Sequence, residues 1–377
     1  MHNRREFLIS SARAALGASM LPGLPALAAP PAEWRNRQSG MAYRRLGRTG
    51  VMVSEVVMGG NTISPDSYEH VLLALDGGLN YLDTAPAYGG GKSEAGYARV
   101  IGARGRDKFF LTTKVSLWDV NRNKLYQDIF KSLPASDQTR LKGKAADEIA
   151  RRQADAPDYF CNYFNSQRGE LDAAALANVM EKEYGRRVDR KANYRKVIVD
   201  SVEQSLARLG TDHVDFMMCP HGASTPHELQ NYPEIFEAYE SLRKAGKVRY
   251  LGVTAHTDPA GILEAASQNK SYSIAMIAYN IVNQNYVAAA LEKASGRGLG
   301  VIAMKVARPV FPSPTRPAEP ARARLIEDAV AGPWKPPQKA YLWALRNPHL
   351  GAVISEMVDA AMVRDNLPLA GKSKAGL

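Results

Sequence analysis

Gly78-Leu79-Asn80-Tyr81-Leu82-Asp83-Thr84-Ala85-Pro86-Ala87-Tyr88 joins a short apolar run, Asn80 to Asp83, to a turn marked by Pro86. A run this short, bounded by turn signals, reads as a strand buried on both faces. The same unit recurs on either side, at Glu55 to Met58, Phe109 to Val115, Val214 to Met218, Val248 to Thr254, Ile274 to Tyr279, Val301 to Met304 and Ala352 to Ile354. Between these runs apolar residues fall at three and four spacing, as in Tyr68 to Leu75, Ser93 to Ile101, Tyr194 to Leu209 and Ile235 to Lys244, the period of a helix lying on a core. Asp258-Pro259 opens another such segment: the carboxylate accepts the orphan amides of the first turn, and proline there needs no donor. Strands covered on both faces and joined by helices require a parallel sheet. Eight of them close on themselves, so the expected fold is α/β, a (β/α)8 TIM barrel.

Side chains at the carboxyl ends of barrel strands face the mouth, where chemistry is carried out. Asp83 closes one run and Lys114 the next; Tyr88 follows Asp83 in a loop with Gly89 to Gly91, and His221 follows Val214 to Met218. A phenol has an ordinary pKa near 10 and protonates an oxygen at neutral pH only where a nearby charge eases its anion. A buried ammonium does this, and a carboxylate keeps the ammonium charged. Asp83, Tyr88 and Lys114 are therefore expected to converge, with Lys114 lowering the Tyr88 pKa, to deliver a proton to a developing alkoxide.

Around these residues lie Tyr43-Arg44-Arg45-Leu46-Gly47-Arg48-Thr49-Gly50, Ser93-Glu94, Thr113-Lys114, Ser201-Val202-Glu203-Gln204-Ser205-Leu206-Ala207-Arg208-Leu209-Gly210, Gly246-Lys247-Val248-Arg249-Tyr250-Leu251-Gly252-Val253 and Tyr279-Asn280. In that order they resemble the aldo-keto reductase family. The resemblance implies a barrel opened by an N-terminal β-hairpin, and hydride transfer between a nicotinamide and a carbonyl or alcohol substrate. Tyr88 is then the general acid or base, with Asp83, Lys114 and His221 as its companions. It also implies an NADP(H) or NAD(H) cofactor, with Thr254, Asn280, Lys305, Ser355, Asp365 and Asn366 as the candidate residues toward it. The family's histidine falls five residues after the aspartate matching Asp215, where this chain has Pro220, and His221 is one place on. The family's serine-asparagine pair is replaced by Thr254-Ala255, and its glutamine by Met276. Glu356, Val358 and Met362 stand where a glycine and a cation are expected to meet an adenosine 2′-phosphate, which leaves NAD against NADP undecided. The alternative is a barrel that binds the dinucleotide as a sensor or as a subunit without turnover. A metal-dependent hydrolase would draw on Asp83, His221 and His256, but Lys114 opposes a divalent ion there and no metal ligands are assigned.

The chain has 377 residues, 45% of them apolar and 23% charged, an ordinary globular balance. Its formal charge is +11, and removing the three arginines and one glutamate of the leader leaves +9. The remaining cations are interspersed with carboxylates, so no nucleic-acid partner is expected. Residues 1–28 read as a twin-arginine signal peptide: Arg4-Arg5 followed by Phe7-Leu8, an Ala-rich apolar run, and Ala26-Leu27-Ala28 as the cleavage signal. The expected partner is the twin-arginine export machinery, which carries folded proteins to a periplasmic or secreted location. The apolar run is shorter than the roughly 20 residues of a spanning helix, so no permanent anchor is expected. Two cysteines, Cys161 and Cys219, are too few for a metal cage, and two buried thiols are the expectation.

The barrel itself is assigned to residues 41–377, with an insertion at 119–191 after its third strand. Helices are expected there at Lys144 to Ala154 and Ala173 to Tyr184, with the aromatic stretch Tyr159-Phe160-Cys161-Asn162-Tyr163-Phe164 between them. Leaving from the carboxyl end of a strand, the insertion reads either as a lid over the substrate pocket or as a decoration on the barrel wall. Arg308 to Pro320 reads as an exposed loop.

Overall fold

The eight runs form a closed barrel of parallel strands in the computed structural model, which describes residues 30–311 and 319–374. The leader, most of the proline-rich loop and the last three residues lie outside the described residues. A short antiparallel hairpin, β1 (Tyr43–Arg45) and β2 (Met52–Ser54), precedes the barrel. The barrel strands are β3 (Val56–Gly59), β4 (Tyr81–Asp83), β5 (Phe110–Lys114), β6 (Val214–Met218), β7 (Val248–Ala255), β8 (Tyr272–Ala278), β9 (Gly300–Met304) and β10 (Ala352–Ser355). They pair in sequence order, and β10 closes the ring on β3. The helices are α1 (Glu69–Asp76), α2 (Lys92–Arg104), α3 (Leu117–Lys131), α4 (Ala135–Arg152), α5 (Gln167–Tyr184), α6 (Lys196–Leu209), α7 (His227–Gln230), α8 (Pro233–Lys244), α9 (Pro259–Gln268), α10 (Gln284–Gly296), α11 (Pro320–Ala329), α12 (Pro336–Leu345) and α13 (Ala360–Asn366). The Asp258 carboxylate accepts the Gly261 amide at 3.0 Å and so caps α9, as its sequence foretold.

Alternation along the strands sorts side chains into two layers. Val57, Tyr81, Phe110, Phe216, Met218, Ile274, Met276 and Ile302 fill the interior, and Leu46, Val51 and Val53 from the hairpin region close it at one end. The intervening residues, such as Leu82, Leu111 and Met217, pack outward under the helices. Asp83 shares the face of Tyr81, and Lys114 that of Phe110, so both project inward. Below them, at the amino end of β6, the buried Asp215 carboxylate accepts Arg106 and Arg249, each at 2.7 Å, and pairs with Arg35 at 3.0 Å.

The insertion departs from expectation. It contains three helices, and the first, α3, was not anticipated. Its inward stripe is Trp118, Arg122, Tyr126 and Phe130, and the fully buried arginine breaks the apolar period that would have revealed it. The expected segments at Lys144 and Ala173 are the latter parts of α4 and α5, which begin nine and six residues earlier, at Ala135 and Gln167. The insertion therefore runs from Leu117 to a π-helical turn, Lys191–Arg195, that leads into α6. It has its own core, with Phe130, Leu141, Ile149, Leu171 and Met180. Arg122 ties it to the barrel through Nε, which donates to the Tyr232 hydroxyl at 2.5 Å, while Nη2 donates to Asn178 within the insertion. No helix among the described residues is long and apolar enough to cross a membrane.

Candidate active site

The ends of β4 and β5 bring three groups together through one nitrogen. Lys114 Nζ donates to Asp83 Oδ2 at 2.6 Å, to the Thr84 carbonyl at 2.9 Å and to the Tyr88 hydroxyl at 2.9 Å. All three ammonium protons are thereby engaged, which fixes the direction of each bond. A β-carbon at Gly60, just past β3, would lie 2.1 Å from the Asp83 carbonyl oxygen, so only glycine allows the chain to approach this closely. Ser93 bonds Thr84 Oγ1 at 2.6 Å and donates to the Gly60 carbonyl at 2.7 Å, while Glu94 accepts Thr113 at 2.7 Å and Arg208 at 2.6 Å. The Ser93-Glu94 pair at the start of α2 thus braces β4 and β5 from outside.

His221 reaches the same place by an irregular path. Cys219 N still donates to the Gly252 carbonyl at 2.9 Å, after which Gly222 N donates to Thr254 Oγ1 and Ala223 N to the Thr254 carbonyl, both at 2.8 Å. The loop is pinned to β7, and the His221 ring stands edge-on to Tyr88 with centres 6.0 Å apart. Its Nδ1 bonds Ser116 Oγ at 2.7 Å. Ser116 occupies the N-cap position of α3, where its backbone is helical, and makes no side-chain cap bond.

The electrostatics correct one expectation. The Tyr88 pKa is not lowered: burial and the charges of Asp83 and Glu356 push its phenol well above the ordinary value of 10. Burial also pushes Asp83 up and Lys114 down, toward the neutral pair, while their mutual attraction and hydrogen bond oppose this. Burial, Lys114 and His256 hold His221 well below the ordinary histidine value, so its imidazole is neutral at pH 7. Cys219 is buried and Cys161 only partly so, and both are free thiols.

A tyrosine, lysine and aspartate joined in this way at a barrel mouth call for comparison with known proteins. The aldo/keto reductase family model matches residues 55–153 and 163–311. The chain belongs to the aldo/keto reductase family. It is 25% identical over 279 residues to the uncharacterized oxidoreductase YrpG of Bacillus subtilis, a match covering 70% of this chain and 65% of that one. It is 27% identical over 224 residues to the aldo-keto reductase YhdN of the same organism, covering 57% of this chain and 47% of that one. The chain thus spans between about half and two thirds of these relatives' length. Among solved structures, the aldo-keto reductase AKR11C1 of Bacillus halodurans in its holo form superposes with a TM-score of 0.56 at 19% identity, covering 88% of this chain and 91% of that one.

Aldo/keto reductases are oxidoreductases whose relatives use nicotinamide cofactors, and the residues expected to face one are scattered among other duties here. Thr254 Oγ1 is engaged by the Gly222 amide. Asn280 donates to the Tyr163 hydroxyl at 2.8 Å, and its Oδ1 accepts the amides of Val282 and Asn283, both at 3.1 Å. Ser355 accepts Asn366 Nδ2 at 3.2 Å, and Asp365 pairs with Lys335. Lys305, just past β9, has φ 57°. Burial lowers its pKa, the charge of Glu356 opposes this and that of Arg308 adds to it. A half-buried ammonium of this kind suits a phosphate. By contrast Val358 and Met362 are each 39% exposed and Glu356 is exposed, a set that supplies no cation to a 2′-phosphate. The donor set therefore fits a dinucleotide at its phosphates more readily than at its 2′ position.

Residues of the insertion also reach the mouth, which the sequence reading left open. Phe164 stands edge-on to His256 at 5.1 Å, and Tyr159 donates to Asp258 at 2.6 Å. The one prior signal was the run of aromatics from Tyr159 to Phe164. Among the described residues no group of three or more His, Cys, Asp or Glu side chains is arranged to hold a metal.

Proposed function

We propose that this chain is an NAD(P)(H)-dependent oxidoreductase that moves hydride between a nicotinamide and a carbonyl or alcohol. The observation that carries this reading is the single ammonium of Lys114 bonded at once to Asp83 and to the Tyr88 hydroxyl. A bound dihydronicotinamide supplies the hydride. Lys305 would hold a phosphate of that group, and Ser355 and Asn366 would lie toward its adenosine end. The Tyr88 hydroxyl delivers the proton to the developing alkoxide, and Lys114, donating to the same oxygen, stabilises the phenolate left behind. Asp83 keeps that lysine charged against the cost of burial. With Ser116 as donor in its bond to His221 Nδ1, the ring proton would sit on Nε2, where it would orient the carbonyl oxygen.

Tyr88→Phe tests this reading: carbonyl reduction should fall by about 10²–10⁴ while dinucleotide affinity is kept. Undiminished turnover would remove the mechanism. The engagement of Thr254 and Asn280 by the protein itself favours one competing reading, a dinucleotide-binding barrel that acts as a sensor or subunit. Bound cofactor without turnover on any carbonyl panel would select it. Export as a folded protein through the twin-arginine route to the periplasm is part of the proposal. Replacing Arg4 and Arg5 by lysines should leave the protein in the cytoplasm, as read by fractionation.

A further inference from the structure

The turn between α4 and α5 plays no part in the proton-donating group, yet it is fastened to the barrel mouth. The Tyr159 hydroxyl donates to Asp258 Oδ1 at 2.6 Å and accepts the Ala260 amide at 3.0 Å, and Arg152 pairs with the same carboxylate. The Tyr163 amide donates to Gln167 Oε1 at 2.6 Å, and Gln167 Nε2 in turn donates to Thr257 Oγ1 at 3.4 Å. Thr257 and Asp258 follow directly on β7, so the loop that carries His256 also holds the turn. Two rings are thereby held in place. Phe164 is half-buried and meets the His256 ring at 86°, while Tyr163 is buried with its hydroxyl accepting from Asn280 and its ring 6.4 Å from His256. His256 follows the carboxyl end of β7, and burial and the charges of Lys305 and Lys114 hold its imidazole in the neutral form.

The strand order divides the mouth into two arcs. β4, β5 and β6 carry Asp83, Tyr88, Lys114 and His221; β7 to β10 carry His256, Asn280, Lys305 and Ser355. A carbonyl whose oxygen rests on the first arc takes hydride at carbon from a ring on the side of the second. That side lacks the family's polar clamp, since Thr254 and Asn280 are engaged within the protein and Ala255 and Met276 offer no side-chain hydrogen bond. What it has instead is a rigid aromatic surface. Flat rings recognise one another through edge and face contacts and need no hydrogen bond to do so. We infer that Tyr163 and Phe164 of the insertion form one wall of the nicotinamide pocket and position the hydride-bearing ring. The inference rests on the oxidoreductase reading above.

The test uses the full-length protein, titrated by calorimetry with NADH, with NADPH and with ADP-ribose, which lacks the nicotinamide ring. Phe164→Ala should weaken the preferred dinucleotide about tenfold or more and leave ADP-ribose within about twofold. It should also abolish the change in dihydronicotinamide fluorescence that accompanies binding. Phe164→Tyr should restore both readouts. Phe164→Leu, which keeps the apolar volume, should show the same selective loss if the alanine variant does not fold. Equal weakening of dinucleotide and ADP-ribose would make the ring a structural prop and overturn the inference, as would unchanged or tighter dinucleotide binding. A wild-type protein that binds neither dinucleotide would instead overturn the oxidoreductase reading, and this inference with it.

Discussion

Asp83→Asn removes the charge that Lys114 depends on while changing little of the volume or the hydrogen-bonding shape. Both side chains are buried, at 2% and 1% exposure, so the substitution leaves an ammonium without a counter-ion in a dry place. Taking one partner from a buried pair costs about 3–5 kcal/mol. The amide oxygen still accepts from Nζ, and the Thr84 carbonyl and Tyr88 hydroxyl remain as acceptors, which places the expected loss near 3 kcal/mol at pH 7. The pH dependence has a definite sign. Burial already lowers Lys114 from its ordinary 10.5, and Asp83 is the main influence raising it. Without the carboxylate the folded pKa falls further, while the unfolded value stays put. Between those two values the unfolded chain holds more protons than the folded one, so the variant gains stability as pH rises, by at most about 1.4 kcal/mol per unit. Urea unfolding of wild type and variant at pH 7 and near pH 10 measures the deficit, which should narrow at the higher pH. A deficit below about 1 kcal/mol, or one that is the same at both pH values, would refute the claim that Lys114 is charged because of Asp83.

Three further outcomes are expected. Burial alone would raise the Asp215 carboxyl, but Arg106 and Arg35 outweigh it and hold the pKa below 3.8; its stabilisation is therefore full above the unfolded value and lost as pH falls through the lowered folded one. Asp215→Asn should cost about 3–5 kcal/mol at pH 7 and distinctly less near pH 2, as followed by denaturant titration. Ser116→Ala frees His221 Nδ1 and should lower kcat/KM by up to about tenfold with dinucleotide binding unchanged, which steady-state kinetics and calorimetry together separate. Glu356→Arg places a cation beside the exposed Val358 and Met362, and the ratio of NADP to NAD affinity should rise about tenfold; an unchanged ratio in competition binding would mean the adenosine lies elsewhere.

The strands were legible because a parallel barrel needs short runs that are apolar on both faces, and such runs stand out between helical periods. Val214 to Met218 was placed to the residue, and the others to within one or two. Asp83, Tyr88 and Lys114 were legible because each sits at a fixed offset from the end of a strand, and the structure joins them through one nitrogen. α3 was not legible, because Arg122 lies in its buried stripe and finds its partners, Tyr232 and Asn178, far along the chain. The raised Tyr88 pKa escaped for a related reason: the sequence shows the lysine next in line but neither the depth of burial nor the approach of Glu356. The engagement of Asn280 depends on Tyr163, 117 positions away in an insertion, and no periodicity encodes such a meeting.

The side chains of Leu46, Val51 and Val53, from in and around the hairpin, pack into one end of the cylinder. A vessel with a single opening imposes an order on its traffic. Whatever settles deepest must arrive first and depart last, so two ligands sharing this doorway cannot exchange independently, and the slower of the two sets the pace for both.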